Sequence, residues 1–595
     1  MFDQIIVFLI IISVLVLFII GRIRYDFVAL LGLLALTIFG VLKPEDTFQG
    51  FSHPAIITVA AVLVISAALV KTGFIDAIVH LLNRKTPSEK VIMAKLMLVT
   101  AVLSGFMNNI GALALVLPVA IKISREKKFP PSQILMPLAF SALLGGMMTE
   151  IGTPPNLIVS SYRISTGAEG FSFFDFTPIG LTVSILGILF MAIFGRKLIP
   201  KRESQGIEKS FNIGEYLSEV QVVKNSKLIG RTIIDINKVY NLEVEILSII
   251  RSDKKIIAPS PLEVLSEDDI LIIKTIPVGL ADLIDKTGIK LKGARKHLEL
   301  EESLIKSRDM DLVEVVLRDD SPLVGRTAYE TKLRNRYSVN LVALSRKGVY
   351  SVERLKSLRF KAGDVLLIQA PTAVLKDIYN KMGCLPLAER GVEIVTDRAV
   401  WKMYFTIGVF LMSIILTTIG VFPVQVSFSV AAITLVLSKI ITPREFYDAI
   451  EWPSIIMLGS LIPLGIALSQ SGGADTIASF LFRVSGFIPP GFMVALMMVL
   501  TLGLANLIST SATAVLMGPI AISLSQVLGV SPDPYLMGVG IAASAAFLTP
   551  IGHQTNLLVM GPAGYKFTDY WKLGLPLSII LIVVATPLIL FIWPL

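Results

Sequence analysis

Gly152-Thr153-Pro154-Pro155-Asn156 interrupts an apolar segment spanning about 134–161, and Gly552-His553-Gln554-Thr555-Asn556 interrupts another at about 534–560. Both segments are long enough to cross about 30 Å of hydrocarbon. An unpaired backbone group costs several kcal/mol in lipid, so irregular chain survives there only beside protein or an aqueous cavity. Pro154 and Pro155 stand where a new half-helix starts, a position that tolerates proline. Two more apolar segments, 91–124 and 490–526, turn at Met107-Asn108-Asn109-Ile110-Gly111 and at Ser509-Thr510-Ser511-Ala512-Thr513. Four such breaks meeting near the midplane imply one enclosed polar site.

The composition agrees. The chain has 595 residues, 54% hydrophobic and 17% charged, with a mean hydropathy of +0.74; soluble proteins carry about 25% charge. This excludes a single soluble enzyme and a disordered chain, and points to an integral membrane protein resting in a lipid bilayer. The net charge of +9 reads as basic cytoplasmic loops, not as a nucleic-acid surface. The single cysteine, Cys384, leaves no disulfide framework and no CxxC or zinc cluster. No catalytic constellation is visible, so no enzyme and no cofactor is expected. Only Met1-Phe2-Asp3-Gln4 precede the first apolar run, which therefore reads as a retained helix.

Further spans fall near 4–21, 26–43, 54–72 and 177–198, then near 402–420, 424–440, 453–470 and 573–593. Between the two zones charges become frequent and strand-like runs appear, such as Glu219-Val220-Gln221-Val222-Val223. The boundaries read as membrane repeat 1 over 1–202, soluble domains over 206–295 and 303–390, and membrane repeat 2 over 398–595. Arg22, Arg24, Arg84, Lys85, Lys90, Lys122, Arg125, Lys127, Lys128, Arg196, Lys197, Lys201 and Arg202 share one side if each broken segment enters and returns on the same face. The positive-inside rule then puts about 203–395 in the cytoplasm and both termini outside.

The zones match each other in order: Pro54 with Pro453, Gly73 with Gly472, Pro118 with Pro519, Thr149 with Thr549, Gly152 with Gly552, Asn156 with Asn556. The expected fold is a polytopic α-helical membrane protein. It has two inverted repeats, each of five transmembrane helices and one re-entrant hairpin, with an inserted α+β domain pair. Odd-numbered repeats of opposite topology are the pattern of alternating-access transporters. The soluble block repeats too: Ser226 and Gly230-Arg231-Thr232 match Ser321 and Gly325-Arg326-Thr327, Arg251 matches Arg346, and Asp269 matches Asp364. Each copy reads strand, helix, three strands, helix. The amphipathic runs 73–84 and 473–485 read as interfacial helices linking moving parts.

Asn, Ser and Thr at a hairpin tip are good N-caps for the returning half-helix. Half-helix N-termini offer free N–H groups and positive dipole ends to an anion. The C-terminal ends of the incoming halves offer carbonyls to Na⁺. No Lys or Arg stands at any break, so dipoles, hydroxyls and co-bound cations must balance the anion's charge. Glu150 is a carboxylate at depth, and reads either as a coupling group or as a buried structural pair. His553 reads as a proton carrier or as a neutral hydrogen-bonded imidazole. Asn156 and Asn556 join the substrate-binding candidates.

On Gly152-Thr153-Pro154-Pro155-Asn156 and the tips Asn108-Asn109-Ile110 and Ser509-Thr510-Ser511, the chain resembles the divalent anion/sodium symporter family within the ion transporter superfamily. The resemblance covers both membrane zones. The tips depart from that family's Ser-Asn-Thr pattern, since Ile110 replaces Thr and Thr510 replaces the second Asn. The soluble copies resemble two tandem RCK-C (TrkA-C) domains, as in the sulfate transporter/sulfur-acclimation branch. The resemblance implies Na⁺-coupled symport of a divalent anion, sulfate or dicarboxylate, by an elevator mechanism in a cell-membrane homodimer. It implies one Na⁺ site from Ser104, Asn108, Asn109 and Gly152, and another from Ala505, Ser509, Thr510 and Gly552, partly through backbone carbonyls. Asn109, Ser511, Pro154 and Gln554 would face the anion, and Thr513 adds a hydroxyl. A small regulatory ligand on the soluble pair is a further implication. The competing readings are a cation channel gated by the pair and a sensor without transport. Against the channel, no TVGYG filter is present and no GxGxxG follows a strand.

Overall fold

The computed structural model describes residues 2–20, 23–73, 89–127, 129–200, 400–485 and 488–595, and between 217 and 388 the strands, turns and helices named below. Beyond Gly73, the amphipathic run expected at 73–84 lies outside the described residues. So do Arg22, Arg84, Lys85, Lys128, Lys201 and Arg202, which carry part of the orientation argument. The chain divides into two compact units, one of 1–204 with 313–368 and 376–595, the other of 205–312 with 369–375.

The first membrane zone contains α1 (Phe2–Ile20), α2 (Tyr25–Ile38), α3 (Pro54–Lys71), α4 (Glu89–Phe106), α5 (Asn109–Glu126), α6 (Ser132–Gly146), α7 (Pro154–Ser165) and α8 (Thr177–Leu198). Between the zones lie β1 (Leu217–Gln221), β2 (Glu245–Arg251), β3 (Lys254–Ile257), β4 (Ile270–Lys274) and β5 (Lys290–Leu291). They are followed by β6 (Met310–Leu317), β7 (Asn340–Arg346), β8 (Val349–Ser351), β9 (Val365–Pro371), α9 (Leu375–Met382) and β10 (Cys384–Ala388). The second zone contains α10 (Val400–Thr418), α11 (Val424–Leu437), α12 (Trp452–Gln470), α13 (Gly473–Ser485), α14 (Pro490–Ala505), α15 (Thr510–Leu528), α16 (Asp533–Ala543), α17 (Gln554–Ala563) and α18 (Tyr570–Ile592). Among the described residues seven helices are long and apolar enough to cross a membrane: α1, α3, α8, α10, α12, α15, and α18 with the turn before it. The molecule is a multi-pass membrane protein. On α10, Leu411, Met412 and Ile415 expose their side chains, as a lipid-facing surface requires.

The helix ends follow local chemistry. Pro154 opens α7 and Pro54 opens α3, where a missing N–H is not needed. Ser509 caps α15, its Oγ accepting from Ala512 N at 3.3 Å, and Gly529 at φ +67° ends that helix. Pro118 in α5 and Pro519 in α15 occupy matching interior positions of the two returning hairpin arms.

Packing sorts the helices into two groups. In one, α4, α5 and α8 pack on α6, α14 and α18 pack on α16, α7 packs on α15 and α16, and α17 packs on α6. In the other, α1 and α12 pack on α2, while α3 and α10 pack on α11. The groups meet where α12 and α13 touch α15 and where α3 touches α7. Close approach fixes the broken segments in the first group. Gly180 of α8 lies against the Met147 carbonyl, and Gly574 of α18 lies against the Phe547 carbonyl, where any Cβ would collide.

The strands form two five-stranded sheets of the same order, β3-β2-β4-β1-β5 and β8-β7-β9-β6-β10. The sequence pattern anticipates four strands per copy; a fifth joins the edge of each sheet beside the first strand. The internal repeat is visible bond by bond. Arg251 pairs with buried Asp269 at 2.8 Å and Arg346 with buried Asp364 at 2.7 Å. Val222 N donates to Asp269 O and Leu317 N to Asp364 O, both at 2.9 Å. Ser226 Oγ donates to Thr287 O and Ser321 Oγ to Met382 O. Such charge-assisted forks hold a turn to the end of a strand without apolar burial.

Candidate functional site

The first hairpin turns between α4 and α5. Asn109 is buried and its Oδ1 accepts from Ser104 Oγ at 2.6 Å. A Cβ on Gly146, at the end of α6, would strike that same Oδ1, and the Gly152 carbonyl oxygen lies 3.1 Å from the position of such a Cβ. Ser104, Asn109, Gly146 and Gly152 therefore meet, and only glycine at 146 leaves room between the hairpin tip and the break. Asn108 is turned elsewhere. Its Oδ1 accepts from Ile110 N at 3.2 Å and its Nδ2 donates to Glu451 Oε1 at 3.3 Å.

The break between α6 and α7 is held by side chains. Thr149 Oγ1 donates to the Gly105 carbonyl and accepts from Gly152 N at 3.1 Å. Asn156 Nδ2 donates to the Thr149 carbonyl at 2.9 Å. The second zone repeats each bond: Thr549 Oγ1 donates to Asn506 O at 2.7 Å and accepts from Gly552 N at 3.2 Å, and Asn556 Nδ2 donates to Thr549 O at 3.0 Å. Asn156 and Asn556 thus clamp the breaks across the chain. Their Oδ1 atoms, like Thr153 Oγ1, are buried without a hydrogen-bond partner among the described residues.

In the second zone a Cβ on Gly552 would lie 2.8 Å from the Ala505 carbonyl oxygen and 3.1 Å from Asn506 Cα. Asn506 ties this corner together, its Oδ1 accepting from Leu548 N at 2.7 Å and Thr549 N at 3.3 Å. Ser509 serves as the cap of α15, and Thr513 Oγ1 donates back to Ser509 O at 3.1 Å. Thr510 and Ser511 are buried in the first turn of that helix. Gln554 opens α17 and its Nε2 donates to Tyr25 Oη at 3.4 Å. Pro154 sits at the matching start of α7.

The coupling candidates are both engaged. Glu150 is buried, its Oε1 accepting from Ser160 Oγ at 2.8 Å. His553 caps α17, with Nδ1 accepting from Thr555 N at 3.2 Å. Three residues of the site were not anticipated from sequence. Gly146 ends an apolar run and carries no polar signal. Asn506 was readable, as an amide inside the apolar run Leu504-Ala505-Asn506-Leu507-Ile508. Glu451 sits at the start of α12, where an acidic residue reads as an ordinary helix-end charge.

A multi-pass helical protein with paired broken segments around polar tips is a transporter and not an enzyme, and the relatives agree. The sequence matches the CitMHS citrate transporter family over residues 15–535 and 489–594, and the chain belongs to that family. It is 30% identical over 590 residues to an uncharacterized transporter of Synechocystis, covering 98% of this chain and 95% of that protein. It is 27% identical over 556 residues to a putative sulfur deprivation response regulator of Chlamydomonas reinhardtii, covering 92% and 95%. To sodium/sulfate cotransporter 1 of the same alga it is 24% identical over 341 residues, 54% of this chain and 38% of that protein.

Proposed function

We propose that the protein couples Na⁺ entry to uptake of a compact divalent anion, sulfate ahead of a dicarboxylate. The observation that carries this reading is the repeat-related pair of uncharged oxygen clusters, Ser104, Asn109 and Gly152 with Gly146, and Ala505 and Gly552 with Asn506. Carbonyl, amide and hydroxyl oxygens beside broken helices suit Na⁺. The N-termini of α7, α15 and α17 add N–H groups for the anion, with Gln554 and Ser511 beside them. Bound Na⁺ offsets the anion's charge, so each ligand tightens the other. The names of the algal sodium/sulfate cotransporter and of the citrate transporter family support an anionic substrate.

The group formed by α4–α8 and α14–α18 slides against the other helices, in the manner of an elevator. The two zones are inverted repeats of five crossings and a hairpin, both termini face outward at the cell membrane, and the two sheets lie in the cytoplasm. The sheets act as an RCK-C pair that biases inward- against outward-facing states through a small ligand, and the molecule works as a homodimer.

Uptake of labelled sulfate into proteoliposomes tests the reading, with Na⁺ or choline outside and with succinate and citrate as competitors. Na⁺-dependent uptake that sulfate inhibits best is the expected result. Equal uptake in choline driven by a pH gradient would move coupling to Glu150 or His553. Succinate or citrate outcompeting sulfate would reverse the substrate order.

A further inference from the structure

We propose that the second soluble sheet is a brake, locked by Arg318 and Glu451 across the two helix groups. The proposal rests on the sliding of those groups given above. Residues 313–368 and 384–388, which hold most of the sheet, belong to the same compact unit as the membrane helices. Its Val316, Val365 and Leu387 share one buried apolar cluster with Leu113 and Leu117 of α5 and with Leu558 of α17.

Two turns make the contact. Arg318 follows Leu317, the last residue of β6, and Lys361-Ala362-Gly363 precedes β9; Gly363 N donates to Leu317 O at 2.9 Å, so the two turns are joined. Gly363, at φ +79°, presses its carbonyl against Gly561 of α17, and a Cβ on Gly363 would lie 2.9 Å from the Leu557 carbonyl. Backbone meets backbone with glycine on both sides, an approach that a Cβ at either position would crowd. The edge and the tip enclose a small cavity bounded by Ile110, Arg318, Gly363, Gln554 and Leu557. The docked sheet thus covers the side of the site on which Gln554 lies.

The sheet is thereby fastened to α5 and α17, which belong to the sliding group. Arg318 then reaches the other group. Its Nη2 lies 3.9 Å from Oε1 of Glu451, at the start of α12. The same Oε1 accepts from Asn108 Nδ2 of the hairpin tip at 3.3 Å. One carboxylate oxygen therefore bonds the tip and pairs, at longer range, with the docked sheet. Sliding of α5 and α17 past α12 must break both interactions, and releasing the sheet removes the Arg318 half of the lock.

The test uses the full chain with Arg318→Ala, with Glu451→Gln, and with the double variant Arg318→Ala/Glu451→Gln. Glu451→Gln keeps an oxygen for Asn108 while discharging the pair. Two quantities are read: the initial rate of Na⁺-driven sulfate uptake, and hydrogen exchange of peptides covering 313–318 and 360–366 in detergent without substrate. The expected result is uptake about two- to fivefold faster in both single variants, the size a partly exposed ion pair allows. Faster exchange accompanies it, and the double variant goes no further than either single one, because all three lose the same pair. Faster exchange with unchanged or slower uptake would overturn the brake, and so would unchanged exchange in all three. If the unaltered protein moves no anion under Na⁺, the transport reading fails. The contact between Arg318 and Glu451 is then judged on exchange alone, supported by non-additive loosening across the two single variants and the double one and overturned by additive loosening.

Discussion

Asn156 donates its amide to the Thr149 carbonyl at 2.9 Å, closing a ring of backbone across the break between α6 and α7, and Asn556 does the same to Thr549 at 3.0 Å. An interrupted membrane helix leaves carbonyls without partners, and an amide seven residues downstream is placed to satisfy them. The four residues are buried or nearly so, and the two rings occupy matching places in the two zones.

Removing a clamp is expected to act on stability before it acts on substrate. Asn156→Ala or Asn556→Ala leaves a buried carbonyl unpaired, at about 1–3 kcal/mol. The thermal transition of the purified protein in detergent should fall in both variants. An unchanged transition with a selectively raised KM for the anion would instead make the amide a direct substrate ligand.

Ser104 and Asn109 are expected to govern the Na⁺ requirement, because their oxygens meet at 2.6 Å beside Gly146 and Gly152. Asn109→Ala should raise the Na⁺ concentration for half-maximal uptake and weaken anion binding together, by linkage. Asn108→Ala should change the Na⁺ dependence less, since its amide is directed at Glu451. Titration of uptake against Na⁺ for the two variants checks the order, and the reverse order would put Asn108 in the Na⁺ site.

Gly146→Ala places a methyl group against Asn109 Oδ1. The tip cannot yield, because Thr149 ties the break to Gly105 directly behind it. Overpacking of this kind costs about 1–3 kcal/mol. Na⁺-driven uptake should drop about tenfold or more while the protein still reaches the membrane and stays monodisperse. Uptake close to that of the unaltered chain would show that the hairpin and the break move apart freely.

Cys384 is buried at the start of β10, and burial pushes its thiol up to about 12 against the opposing pull of Arg318. The thiolate is the reactive form, so the folded protein should resist maleimide at pH 8 and label fully in denaturant. Rapid labelling of the folded chain would mean that β10 leaves its partner β6 on the timescale of the reaction.

The places where helix must stop can be read from the chain of residues alone. Gly152-Thr153-Pro154-Pro155-Asn156, its mate at 552–556 and the two tips are legible because proline, glycine and amides inside apolar runs have few other uses in lipid. The soluble repeat is legible for the same kind of reason: Arg251 with Asp269 and Arg346 with Asp364 keep their spacing because each closes the same turn. Which way each polar group faces is set by packing. Asn108 and Asn109 are adjacent and alike in chemistry, yet one meets Glu451 and the other meets Ser104, because neighbouring residues at a helix start point in different directions and only the packed partners settle their contacts. Gly146, Gly363 and Gly561 matter through what stands opposite them, and Arg318 and Glu451 lie far apart in the chain. A missing side chain and a distant partner leave no local pattern, so no reading of periodicity or composition could have put them together.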